Sequence, residues 1–174
     1  MKRALLLTGK PGTGKTALIK AAPARTGVKG GGFYTEEMRA QGIRQGFRVV
    51  TLDGQEATLA HVGISSPHHV SKYKIDIDTL DSVGVAALRR ALQQDDLIVV
   101  DEIGKMELLS PGFRDVVKEA IHSGKKVLGT IMLDPHPFAD EIKRRPEVEL
   151  VTVTRDNHGE VMSGVLNWLM EQPN

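Results

Sequence analysis

The stretch Gly9-Lys10-Pro11-Gly12-Thr13-Gly14-Lys15-Thr16 constrains this chain more than any other. It fits G-x-x-x-x-G-K-[ST], in which every fixed position has a physical task. The glycines let the backbone curl until its N–H groups converge on phosphate oxygens. A helix opening near Lys15 adds the positive end of its dipole. Lys15 suits the β- and γ-phosphates and the Thr16 hydroxyl suits magnesium. The motif follows an apolar strand expected over Arg3–Leu7 and precedes a helix, the context that separates a phosphate loop from a glycine-rich turn. The nucleotide-binding set predicted here is Gly9, Lys10, Pro11, Gly12, Thr13, Gly14, Lys15, Thr16 and Ala17 from this loop, with Asp101, Glu102, Ile103, Gly104, Arg39 and Arg44 from the segments below. Within it Lys15 is also catalytic and Thr16 a metal ligand.

A second segment gives the loop its chemistry. Leu97-Ile98-Val99-Val100 is a continuous apolar run, as in a strand buried on both faces, and it ends in Asp101-Glu102. In an open α/β sheet that end of a strand is where ligands sit. Asp101 is therefore expected to hold magnesium, and Glu102 to polarise a water aimed at the γ-phosphate. Ile103 and Gly104 complete the nucleotide-contacting segment. Lys105 suits either transition-state charge or a solvated surface, and Glu107 reads as structural. Arg39 and Arg44 flank the turn Ala40-Gln41-Gly42-Ile43, where arginine suits bidentate phosphate contact but is also common on exposed hairpins. His68-His69 offers too few ligands for a metal site.

Composition narrows the setting. With 174 residues, 40% hydrophobic and 26% charged, the chain is expected to form one domain, 1–174, with a sizeable core. A net charge of +1 gives no electrostatic case for nucleic acid or an anionic membrane. The absence of cysteine excludes disulfides and thiol chemistry and fits a cytoplasmic protein. The apolar run after Met1-Lys2-Arg3 stops at Thr8, short of the roughly 7–15 residues of a signal h-region. No stretch approaches the roughly 18 apolar residues of a membrane span.

Periodicity predicts alternating strands and helices, hence a mostly parallel α/β sheet flanked by helices. The first helix is expected to stop near Ala21, ahead of Pro23, and Gly30-Gly31-Gly32 to form a flexible loop. Gly32–Glu37, Phe47–Leu52 and Thr58–Val62 read as an antiparallel hairpin extension turning at Asp53-Gly54. Gly63–Lys72 reads as a loop and Tyr73–Ile77 as a strand. Leu80, Val83, Ala87, Leu88, Ala91 and Leu92 share one helical face. Ser110 is a fit N-cap for a helix with Pro111 at its first position and Gly124 beyond its end. Val127–Met132 and Val148–Thr154 read as strands, Phe138–Arg145 and Glu160–Met170 as helices.

Three segments together resemble one family, the small P-loop nucleoside-triphosphatases of thermophilic prokaryotes and animals, the cancer-related nucleoside-triphosphatase family. They are Gly9–Thr16, Gly32-Phe33-Tyr34-Thr35-Glu36-Glu37-Met38-Arg39 running on to Arg44-Gln45-Gly46-Phe47, and Asp101-Glu102-Ile103-Gly104-Lys105-Met106-Glu107-Leu108. The resemblance implies a RecA-like sheet. It also implies slow hydrolysis of ribonucleoside triphosphates (ATP, GTP and others) to diphosphate and phosphate, with weak base preference, and it raises Lys105, Arg39 and Arg44 as site residues; the Mg2+ dependence expected beside it rests on Thr16 and Asp101. One departure stands out: the family commonly carries Asn-Arg where this chain has Asn157-His158. Two other readings use the same motifs. One is a small-molecule or nucleic-acid kinase with Lys143-Arg144-Arg145 as a basic lid; the other is a switch whose partner reads the nucleotide state. Base preference, physiological substrate and oligomeric state are not written in any motif.

Overall fold

The computed structural model describes residues 2–172. One nine-stranded sheet runs through it in the order β5-β6-β4-β3-β2-β7-β8-β1-β9. Five strands are mutually parallel: β1 (Ala4–Thr8), β2 (Gly30–Ala40), β7 (Leu97–Ile103), β8 (Lys126–Ile131) and β9 (Val148–Thr152). Beyond β2 the sheet continues antiparallel through β3 (Ile43–Thr51), β4 (Glu56–His61), β6 (Tyr73–Ile75) and β5 (His69–Val70). The phosphate loop leaves β1 and the Asp101-Glu102 pair sits on β7. One strand, β8, lies between them, so both C-terminal ends open onto the same edge of the sheet.

Helices cover both faces. On one, α1 (Lys15–Thr26) and α6 (His158–Met170) pack Leu18, Ile19, Val165 and Trp168 against Leu5, Leu7 and Val99. On the other lies a helical stretch made of α2 (Ile77–Thr79), a π-helical turn over Leu80–Val85 and α3 (Ala86–Gln94). It packs with α4 (Pro111–His122) and α5 (Pro137–Lys143) around Phe33, Phe113, Ile98 and Val100. Ser110 caps α4 as expected, its hydroxyl accepting from the Phe113 N–H at 3.0 Å. The π-turn lets Gly84 approach the Phe33 ring, where a Cβ would lie 3.2 Å away.

Four expectations need correction. The first helix does not stop near Ala21 but runs through Pro23 to Thr26 and ends at Gly27 in the left-handed conformation (φ 70°). Pro23 cannot donate to the Ile19 carbonyl, but burial of Leu18, Ile19 and Ala22 holds the last turn in place. The Thr26 hydroxyl also donates to the Ala22 carbonyl. Gly30–Gly32 is not a loop but the start of β2, paired with Leu97–Val99. A Cβ on Gly31 would lie 2.8 Å from the Ala91 side chain of α3, and one on Gly32 (φ 112°) 2.0 Å from the Val99 carbonyl oxygen. Glycine there marks close packing of helix and strand rather than flexibility. Gly63–Lys72 contains the short strand β5. The strand expected over Tyr73–Ile77 stops at Ile75, because the Asp76 side chain accepts from the Thr79 N–H and starts a helix.

Candidate active site

The loop after β1 and the end of β7 face each other across a cleft of about 540 Å3. Gly9, Pro11, Gly12, Gly14, Lys15, Thr16 and Ala17 line one side and Asp101 and Glu102 the floor. Gly9, Gly12 and Gly14 all have positive φ. A Cβ on Gly9 would lie 2.5 Å from the Val153 carbonyl oxygen, and one on Gly14 2.8 Å from His158 Nε2. The loop is thus fixed in its curl from the β9–α6 side, and His158, the departure from the family pattern, is the residue lying against Gly14. The Lys15 ammonium donates to the Gly9 and Lys10 carbonyls, both at 2.9 Å. One of its three donors is left for an anion in the cleft.

Asp101 is almost wholly buried, 2% exposed. The Thr130 hydroxyl of β8 donates to its Oδ1 at 2.5 Å, while Oδ2 is buried with no hydrogen-bond partner among the described residues. Burial pushes the carboxyl above the usual range. Thr130, the nearby Thr16 hydroxyl and, more weakly, the charges of Lys20 and Lys15 favour the ionised form. A buried carboxylate oxygen without a donor, beside a threonine hydroxyl at the mouth of an anion-binding loop, is a donor set that suits a hard divalent cation. Glu102 is also raised, first by burial and then by the Asp101 charge, against the pull of Lys15. A Cβ on Gly104 would come within 2.5 Å of Glu102 Oε1, so glycine there leaves room for that carboxylate. The Asp101–Glu102 peptide bond is cis.

The remaining expected residues divide. Arg44 lines the cleft together with Glu37, Thr35 and Phe47 of the β2–β3 hairpin. Arg39 is not among the lining residues: it is paired with Glu37 at 2.7 Å and with the Gly42 carbonyl at 2.9 Å. Glu37 also binds Arg44 at 3.1 Å, so one carboxylate holds both arginines. Lys105 lines a smaller pocket of about 170 Å3 that shares Thr35, Phe47 and Glu102 with the cleft and ends at Glu107. The Ile103 side chain is turned into the core. Lys10 and Thr13 face the opposite side of the loop from the carboxylates. Within the basic run, Lys143 reaches the Leu133 carbonyl at 3.4 Å and Arg145 the His122 ring.

Sequence reasoning missed Thr130, Glu37, Leu133 and Asp134, of which the last three line the cleft. Thr130 had a visible signal, a hydroxyl in an otherwise apolar strand, which needs a buried partner.

A five-stranded parallel core, a phosphate loop after β1 and buried carboxylates at the end of β7 define a P-loop nucleotide-binding α/β protein. Within that class the chain belongs to the family described as NTPase, whose model matches residues 4–166. It is 46% identical over 165 residues to "Nucleoside-triphosphatase THEP1" of Thermotoga sp. (strain RQ2), covering 95% of this chain and 94% of that one. It is 36% identical over 182 residues to the "Cancer-related nucleoside-triphosphatase" of Homo sapiens, covering 95% and 96%. The crystal structure of THEP1 from the hyperthermophile Aquifex aeolicus superposes with a TM-score of 0.89 at 33% identity, covering 97% of this chain and 99% of that one. The solution structure of the human protein gives 0.83 at 35% identity, covering 99% and 100%. The family expected from the three motifs and the α/β fold expected from periodicity are the ones found. Among the described residues no helix is long and apolar enough to cross a membrane.

Proposed function

We propose that this chain hydrolyses nucleoside triphosphates to diphosphate and phosphate in a Mg2+-dependent reaction at the cleft between the phosphate loop and β7. The observation that carries the reading is the Oδ2 of buried Asp101, without a hydrogen-bond partner among the described residues, near Thr16 and in the same cleft as Lys15 and Glu102. Thr16 and Asp101 would hold the ion, which supplies charge neutralisation at the phosphates. The loop N–H groups and Lys15 bind and orient the triphosphate. Glu102 accepts the proton of a water whose oxygen bonds to the γ-phosphorus as the bond to the β–γ bridging oxygen breaks. Its raised carboxyl is a stronger base for that proton than an exposed glutamate. Lys105 and Arg44 line the two pockets that share Glu102, where their charge would stabilise the negative charge that develops on the transferring phosphoryl group and the departing diphosphate. Free nucleotide is the partner. The near-neutral net charge and the lack of cysteine fit an enzyme that works in the cytoplasm without nucleic acid.

The test is phosphate release from ATP, GTP, CTP and UTP with and without Mg2+, beside Lys15→Ala. Release from several nucleotides that needs both Mg2+ and Lys15 supports the reading. Release that survives EDTA or the substitution refutes it.

A further inference from the structure

The β2–β3 hairpin turns tightly, with Gln41 and Gly42 both at positive φ (52° and 77°) and Ala40 paired with Ile43. A register shift between Met38 and Arg39 sets Arg39 directly opposite Arg44. Like charges facing each other across a strand pair repel unless a counter-charge stands between them. Glu37 is that counter-charge, and it serves the two arginines unequally. Its Oε2 takes Arg39 Nε at 2.9 Å and Nη2 at 2.7 Å, while Arg39 Nη1 donates to the Gly42 carbonyl at 2.9 Å. Every nitrogen of Arg39 is thus engaged. Glu37 Oε1 takes a single Arg44 nitrogen, Nη1, at 3.1 Å, and Arg44 Nε and Nη2 make no hydrogen bond among the described residues. We propose that Glu37 is a positioning residue: anchored by Arg39, it holds the Arg44 guanidinium at the wall of the cleft so that its remaining N–H groups donate to a phosphate oxygen. The inference rests on the hydrolase reading, which puts the triphosphate in this cleft.

Phe47 gives Arg44 a second hold. The Arg44 Cζ lies 5.4 Å from the Phe47 ring centroid, and that ring is braced edge-on by Tyr73 at 5.3 Å and packs on the core. A guanidinium fixed at one nitrogen and at a ring face has lost much of its rotamer freedom before an anion arrives, so less is lost when it binds. One carboxylate between two guanidiniums also leaves one positive charge uncompensated, and of the two arginines only Arg44 lines the cleft. The side chains of Glu37 and Arg44 are 41% and 44% exposed, so the pair itself adds little to folding stability. Glu37 lines the cleft as well, where its charge acting alone would repel a phosphate. A holder of Arg44 and a bare repelling charge therefore predict opposite effects of its removal.

The experiment is a double-mutant cycle on Glu37→Gln and Arg44→Ala. It is read as affinity for the Mg2+ complex of an ATP analogue with nitrogen in place of the β–γ bridging oxygen, which is not cleaved. The unfolding midpoint of each chain is recorded beside it. Glu37→Gln is expected to weaken binding about 5-fold more in the unaltered chain than in Arg44→Ala, with its midpoint within about 4 °C of the unaltered chain. The same change in both backgrounds overturns the proposal. A uniform loss with a lower midpoint would make Glu37 structural, a uniform gain would make it only a repelling charge, and no effect in either would leave Phe47 holding Arg44 alone. Phosphate release from ATP by the unaltered chain is read separately. Coupling without turnover would remove the hydrolase reading and keep this one; turnover without coupling would do the reverse.

Discussion

Replacing Thr130 by valine keeps the shape of a fully buried side chain and removes the hydroxyl that donates to Asp101. Asp101 Oδ2 has no hydrogen-bond partner among the described residues, so the substitution removes the one full hydrogen bond to this buried carboxylate and leaves only the nearby Thr16 hydroxyl and the more distant lysine charges. A hydrogen bond to a charged group contributes about 1.5–3 kcal/mol. For a chain of this size each kcal/mol moves the midpoint of unfolding by about 2–4 °C. Thermal unfolding of Thr130→Val, followed by circular dichroism without nucleotide, should therefore show a fall of about 3–12 °C. Thr130→Ser separates hydrogen bonding from packing: it keeps the hydroxyl and loses one methyl, which costs about 0.8 kcal/mol. Valine should be the more damaging of the two. Because Thr130 orients a proposed metal ligand, valine should also raise the Mg2+ concentration for half-maximal turnover by about 10- to 100-fold. A serine variant less stable than the valine variant, or a valine variant with unaltered midpoint and Mg2+ response, would refute the role given to this hydroxyl.

Three further outcomes follow from the same structure. Glu107 is buried and held well above the ordinary carboxyl range by desolvation and by the Glu102 charge, against the pull of its own and the Gly104 backbone N–H. The folded state therefore keeps a proton that the unfolded chain loses, and stability falls as pH rises above about 4.5. Glu107→Gln should flatten that decline, measured as denaturant midpoints from pH 5 to 8. Glu36 is lowered, first by its hydrogen bond to Lys20 and then, against a small burial cost, by Arg48. Its contribution is complete above pH 4.5 and is lost as pH falls through the lower folded value, so the gap between the unaltered chain and Glu36→Gln should close in acid. Gly32→Ala should cost about 2–6 kcal/mol by urea unfolding, from the strained φ and the Val99 carbonyl a Cβ would meet.

The fold was legible where burial dictates pattern. Leu97–Val100 announced a strand buried on both faces, and Ser110-Pro111 announced the start of α4. What escaped depends on partners distant in the chain. Gly31 and Gly32 look like a flexible loop until Ala91 and Val99 stand against them, and Pro23 looks like a helix stop until the buried face of α1 is counted. The site divided in the same way. The phosphate loop and Asp101-Glu102 are local patterns with local chemistry. Sequence offered Arg39 and Arg44 as equals, whereas both pair with Glu37 and only Arg44 of the two lines the cleft. Thr130 meets Asp101 only because β8 lies beside β7 in the sheet.

The central claim is that Glu102 takes the proton of the attacking water and that its contact with the nucleotide adds little to affinity. Single-turnover hydrolysis of bound Mg·ATP by Glu102→Gln, with ATP affinity measured on the same sample, tests it most directly. The account predicts affinity within about 3-fold of the unaltered chain and a cleavage rate lower by about 100-fold or more. Cleavage at an undiminished rate from the bound complex would contradict it.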